Sequence, residues 1–113
     1  MNLTDKRENI ASQLSTVTGV KGYAYRPTTP RPGDAWPLLG ALDRADGLAF
    51  YVSWRVLVFL PQDERAASEW IDAHCADLID ALEPVGFVDR LEPVVSSASG
   101  TDQMYLQITM RGE

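Results

Sequence analysis

The run from Leu48 to Leu60, L-A-F-Y-V-S-W-R-V-L-V-F-L, constrains the fold more than any other stretch of the chain. It is rich in β-branched and aromatic residues and contains no Gly or Pro. Phe50, Val52, Trp54, Val56 and Val58 recur at every second position, so a β-strand places them on one face. Tyr51, Ser53, Arg55, Leu57 and Phe59 fall on the other, which is mixed. This period predicts a long central strand with one buried and one amphipathic face. A helix over the same residues would be apolar nearly all round and would strand Arg55.

Residues 36–45 lead into Asp46-Gly47, a strong signal for a two-residue hairpin loop. That loop would set Ala45 opposite Leu48, Asp43 opposite Phe50, Ala41 opposite Val52 and Leu39 opposite Trp54. It would also set Trp36 beside Leu57, Leu38 beside Arg55 and Leu42 beside Tyr51. Both faces of such a hairpin carry large apolar side chains. A chain of 113 residues forms one domain, 1–113, and rarely covers both faces of its sheet by itself. One face is therefore expected under the helices and the other against a neighbouring subunit.

Other elements follow from the same patterns. Leu3, Ile10, Leu14 and Val17 form the stripe of a short amphipathic helix, with Thr4 as N-cap, Asp5 and Glu8 near the positive end of its dipole, and Gly19 as its stop. A strand is expected over Val20 to Arg26. Pro27 to Pro37 holds four prolines in eleven residues, which predicts a stiff loop. It is either a plain crossover or a docking loop, with Pro27, Pro30, Arg31, Pro32 and Asp34 as its candidate residues.

Pro61 ends the central strand, and Asp63 is placed to cap a second helix, Glu64 to Leu82. Ala67, Trp70, Ile71, His74, Cys75, Leu78, Ile79 and Leu82 form its apolar stripe. Trp70, Ile71, Leu78 and Leu82 are expected to cover Phe50, Val52, Trp54, Val56 and Val58. Phe87 to Val95 reads as a strand in which Pro93 marks an edge or a bulge. After the turn S-S-A-S-G-T-D, Met104, Leu106, Ile108 and Met110 alternate with Tyr105, Gln107 and Thr109 in a final half-buried strand. The order α-β-β-β-α-β-β predicts an α+β domain, with helices on one face of an antiparallel or mixed sheet built round a long central hairpin.

Charge and chemistry narrow the function. A net charge of −6 argues against a broad phosphate-neutralising surface and against nucleic-acid sequence readout. Residues 1–62 carry seven bases against five acids, whereas residues 63–113 carry three bases against eleven acids. This asymmetry fits either a solvated acidic helix face or self-complementarity between subunits. The single cysteine, Cys75, excludes an internal disulfide. The opening M-N-L-T-D-K-R-E-N-I has no apolar h-region, so no secretory signal is expected, and no run is long enough for a membrane helix.

No catalytic constellation is legible. His74, the one histidine, lies on an apolar helix face and is expected to be structural. Its neighbour Cys75 points about 100° away on a helix, so the two make no ready thiol–imidazole dyad. Neither a metal-ligand cluster nor a phosphate loop is present, so no cofactor, metal or catalytic activity is expected. The subunit interface expected from pattern alone comprises Trp36, Leu38, Arg44, Tyr51, Arg55 and Leu57. Glu69 and Asp72 of the second helix are candidate partners for those arginines on the next chain.

In element order and texture the chain resembles the tail terminator (minor tail) proteins of long-tailed bacteriophages, those of actinobacteriophages in particular. The resemblance is carried by the N-terminal helix, V-T-G-V-K-G-Y-A-Y-R-P at Val17 to Pro27, and G-D-A-W-P-L-L at Gly33 to Leu39. V-L-V-F-L-P, D-E-R-A-A-S-E-W-I-D and the L-E-P-V beginning at Leu91 extend it. The resemblance implies this α+β order and a homo-oligomeric ring, six-fold in well-known members. Such a ring caps the head-proximal end of the tail tube, stops its polymerisation and offers a surface to the head. The implied partners are the chain itself, the tail tube protein and a head-completion or neck protein, without a cofactor. The implied location is the virion tail, assembled in the host cytoplasm. A head-closure or neck protein of the same virion is an open alternative, and a small cytoplasmic enzyme using His74 or Cys75 is another.

Overall fold

The central strand forms as the alternation requires, and four further strands and two helices are arranged around it. In the computed structural model, which describes residues 2–44, 47, 49–97 and 100–112, the elements are α1 (Leu3–Leu14), β1 (Lys21–Gly22), β2 (Asp34–Arg44), β3 (Phe50–Phe59), α2 (Glu64–Leu82), β4 (Gly86–Ser96) and β5 (Gln103–Gly112). One 3₁₀ turn, Glu83–Val85, joins α2 to β4. The sheet order is β1-β2-β3-β5-β4, with β1 parallel to β2 and the other pairs antiparallel. This is the expected α+β order on a mixed sheet.

The hairpin register holds over one half and shifts over the other. Trp36 pairs with Leu57, Leu38 with Arg55 and Leu39 with Trp54, as the Asp46-Gly47 loop would require. Beyond Leu39 the ladder slips by one residue, so Ala41 pairs with Ser53, Leu42 with Val52, Asp43 with Tyr51 and Arg44 with Phe50. The extra residue is Gly40, where an added Cβ would sit 3.0 Å from the Ser53 carbonyl oxygen. A bulge admits one unpaired residue and reverses which face the following side chains occupy. Leu42 and Arg44 therefore lie on the Val52 side of the sheet, not beside Tyr51. The loop residue Asp46, and Ala45 and Leu48, which would face each other across the loop, are outside the described residues.

Both helices pack on one face. Val52, Trp54, Val56 and Val58 are buried there with Leu106, Ile108 and Met110, beneath Ile10 and Leu14 of α1 and Ala67, Leu78 and Leu82 of α2. Trp70 and Ile71 border this core, partly buried. Phe50 departs from expectation at 42% exposed. It pairs with Arg44 at the far end of the hairpin, and the Arg44 guanidinium lies 4.7 Å from its ring centroid.

Local signals account for the remaining differences. The N-cap of α1 is Asn2, whose Oδ1 accepts from the Asp5 N–H, rather than Thr4, which is already helical. The helix ends at Leu14, and Gly19 makes a later turn at φ +87°. Asp63 caps α2 as expected, accepting from the Ala66 N–H at 3.0 Å.

The strand expected over Val20 to Arg26 is cut to Lys21–Gly22. At Gly22 the α1 backbone presses on the chain so closely that a Cβ would lie 2.1 Å from the Ala11 carbonyl oxygen. The chain then runs along the β2 edge, where the Arg7 guanidinium of α1 lies 4.9 Å from the Tyr25 ring and Tyr23 and Arg26 reach Trp36 on the other face. The proline-rich loop ends at Gly33, and Asp34 to Pro37 belong to β2. Pro37 is tolerated because β1 pairs only with Asp34 and Ala35, which leaves β2 an edge from Trp36 onward. Its carbonyl accepts from Arg7 Nη1 at 3.0 Å. Pro93 likewise sits on an edge strand, β4, while the bulge there falls between Val88 and Arg90.

Candidate assembly surface

The sheet face opposite the helices is covered only at one end. There Tyr23 and Leu57 pack beside Trp36, Phe59 and Tyr105, a small second core that Val94 completes. Trp36 meets Tyr105 edge to face at 6.0 Å, Phe59 tilts against the same tyrosine at 5.5 Å, and Arg26 lies 5.9 Å from the Trp36 ring. Trp36 was expected at a subunit interface, but at 1% exposure it is sealed within its own chain. The cause is the loop after β1, which folds Tyr23 and Arg26 over this end of the sheet. The Trp36 Nε1–H is buried without an acceptor among the described residues.

Beyond this second core the face opens into a depression of about 360 Å³ that runs across β2, β3, β5 and β4. Leu38, Leu57 and Val94 supply apolar lining, Arg26 and Arg55 the positive charge, and Gln103 and Gln107 amides. Leu38 and Arg55 are exposed, and Leu57 is half-buried. Further along the face Tyr51 and Phe87 are 63% and 60% exposed. The Arg111 guanidinium covers Phe87 at 4.8 Å and pairs with Asp89 at 3.0 Å.

Charge on this face is unevenly satisfied. The ion pairs among the described residues are Arg65–Glu69, Arg90–Glu92 and Arg111–Asp89, so neither Arg26 nor Arg55 has a carboxylate partner. Two guanidinium groups beside apolar side chains can hold a carboxylate through charge-assisted hydrogen bonds while the floor takes up alkyl or aromatic surface.

The structure sets Leu38, Tyr51, Arg55 and Leu57 on one face, with Trp36 buried beside Leu57 at the floor of the depression, and places Arg44, Glu69 and Asp72 elsewhere. Arg44 lies on the helix side because of the Gly40 bulge. Glu69 and Asp72 are exposed on α2, in the opposite layer. In the candidate docking loop, Pro27 and Pro30 are half-buried and Arg31 and Pro32 exposed. Asp34 is buried instead, held in a turn in which its Oδ2 accepts from the Arg31 N–H and its own N–H donates to the Arg31 carbonyl.

Sequence reasoning missed Arg26, Val94, Gln103 and Gln107. The alternation of β5 already placed Tyr105 and Gln107 away from the core. The return of Arg26 over the sheet had no local signal.

His74 stacks on Trp70 at 4.1 Å, its Nδ1–H donates to the Trp70 carbonyl at 2.7 Å, and a Cβ on Gly19 would lie 3.1 Å from its Nε2. The ring thus joins α2 to the turn after α1. No group of three or more His, Cys, Asp or Glu side chains that could hold a metal occurs among the described residues. No described helix is long and apolar enough to cross a membrane. No known protein family matches the chain, and no curated protein matches it.

Proposed function

We propose that this chain is a tail terminator of a long-tailed bacteriophage, a structural protein that forms a ring on the head-proximal end of the tail tube. The ring stops tube polymerisation and presents the surface that a head-completion or neck protein joins. The observation that carries this reading is the open sheet face, where Tyr51, Phe87, Leu38 and two arginines without a carboxylate partner among the described residues lie exposed on one side of a two-layer domain. Apolar surface of this extent beside charge suits contact between proteins. The element order is the one that the resemblance implies. Repeated weak contacts on a tube gain from effective concentration, so a ring can close there from subunits that associate weakly in solution.

The test is electron microscopy of tails from cells expressing the complete tail gene cluster with and without this chain. The reading predicts tails of uniform length with it and overlong tubes without it. Uniform headless tails in its absence would assign the chain to the neck instead.

A further inference from the structure

Arg26 and Arg55 line the depression without a carboxylate partner among the described residues, and the same chain displays acids on its opposite layer. We infer that the depression receives the outer ridge of α2 from a second copy of this chain. The inference rests on reading the open face as an assembly surface and goes further by naming what seats in it.

At 100° per residue, Glu69, Ala73, Ala76 and Asp80 fall on the side of α2 opposite Leu78 and Leu82, with Asp72 at its flank and Glu83 in the 3₁₀ turn just beyond. All six are exposed. Arg65 is the one base on this ridge, and it is already paired with Glu69 at 3.0 Å. With Glu69 compensated, the ridge keeps Asp72 toward one end and Asp80 toward the other, with small residues between them. Ala73 and Ala76 let the helix backbone come close to the sheet, over Leu38 and Leu57. Asp72 and Asp80 on either side can then reach the guanidinium groups.

A molecule cannot satisfy its own depression, because α2 and the depression lie on opposite faces of the sheet. The contact is therefore heterologous and runs head to tail, closing into a ring when the rotation per subunit divides the circle. It also gives a structural use to the charge asymmetry between the two halves of the chain. Charge complementarity of this kind fixes register and suppresses wrong pairings.

Sedimentation of the purified full chain at millimolar concentration and low salt tests the inference. Wild-type mass should rise with concentration. R26E/R55E should weaken association at least about tenfold, and so should D72R/D80R. The second variant decides most, because its net charge is closer to zero and a non-specific effect would strengthen association. The quadruple variant R26E/R55E/D72R/D80R keeps the wild-type net charge and should associate again. Circular dichroism establishes that each variant is folded.

Wild-type protein that stays monomeric at millimolar concentration overturns the inference. So does a D72R/D80R variant that associates as well as wild type, since another acidic segment would then occupy the depression. Tails capped normally by chains that do not self-associate would sink this contact and leave the terminator reading. Self-association by the predicted pattern without tail capping would do the reverse.

Discussion

Trp36 and Trp54 are each 1% exposed but lie on opposite faces of the sheet, and their surroundings predict different responses to substitution. Trp54 sits in the main core under α1 and α2, so Trp54→Ala should cost roughly 3–5 kcal/mol in a denaturant titration. Trp36 keeps a buried N–H without an acceptor, a burden of about 1–3 kcal/mol. Trp36→Phe removes that donor and leaves a ring against Tyr105, so the loss of packing is largely offset. It should cost less than about 1.5 kcal/mol. A cost as large as that of Trp54→Ala would mean that the indole nitrogen is paired in solution.

Gly22→Ala meets the Ala11 carbonyl, which belongs to helix backbone and cannot turn aside. It should destabilise by about 1–3 kcal/mol or more, measured as a fall in thermal midpoint. No residue in the sequence announces this contact. Gly22 looks like any strand glycine until α1 is placed on it.

At the scale of elements, the strong periodicities were legible and the irregularities were not. The bounds of α2 follow from Asp63 and its apolar stripe, and Asp63→Ala should cost about 1 kcal/mol of stability. The core face of β3 follows from alternation, because each second residue must leave water. The Gly40 bulge does not, since a Gly in a strand pattern signals a bulge only weakly while Asp-Gly downstream signals a tight loop strongly. That one residue moves Leu42 and Arg44 to the helix side of the sheet, away from Tyr51 and Arg55. Gly40→Val should weaken the distal hairpin, seen as faster amide exchange at Leu42 and Val52, with little change at Leu57. The early exit of the chain from β1 is equally hidden, because it depends on the close approach of α1. Its consequence is that Arg26 reaches the open face, so half of the positive charge at the depression escaped sequence reasoning.

At the scale of the whole molecule, the domain is two layers with a third side left open. The helix layer is acidic on its outside, and the open sheet face presents apolar groups with Arg26 and Arg55 at the depression and the acids Asp43 and Glu92 nearby. That one sheet face would lack a helical cover was legible from the two-sided apolar hairpin. That part of this face is filled by the chain's own Tyr23 and Trp36 was not. The account stands on the remaining open face being where the protein joins its assembly. Tyr51, at 63% exposure, is the residue to change, because it can be made charged without disturbing the core. The measurement is tail capping by Tyr51→Asp in cells carrying the complete tail cluster, with circular dichroism of the purified variant alongside. The proposed tail-terminator role predicts a folded variant that leaves tubes uncapped, so that tails grow overlong. A folded variant that caps tubes and yields tails of normal length would contradict it.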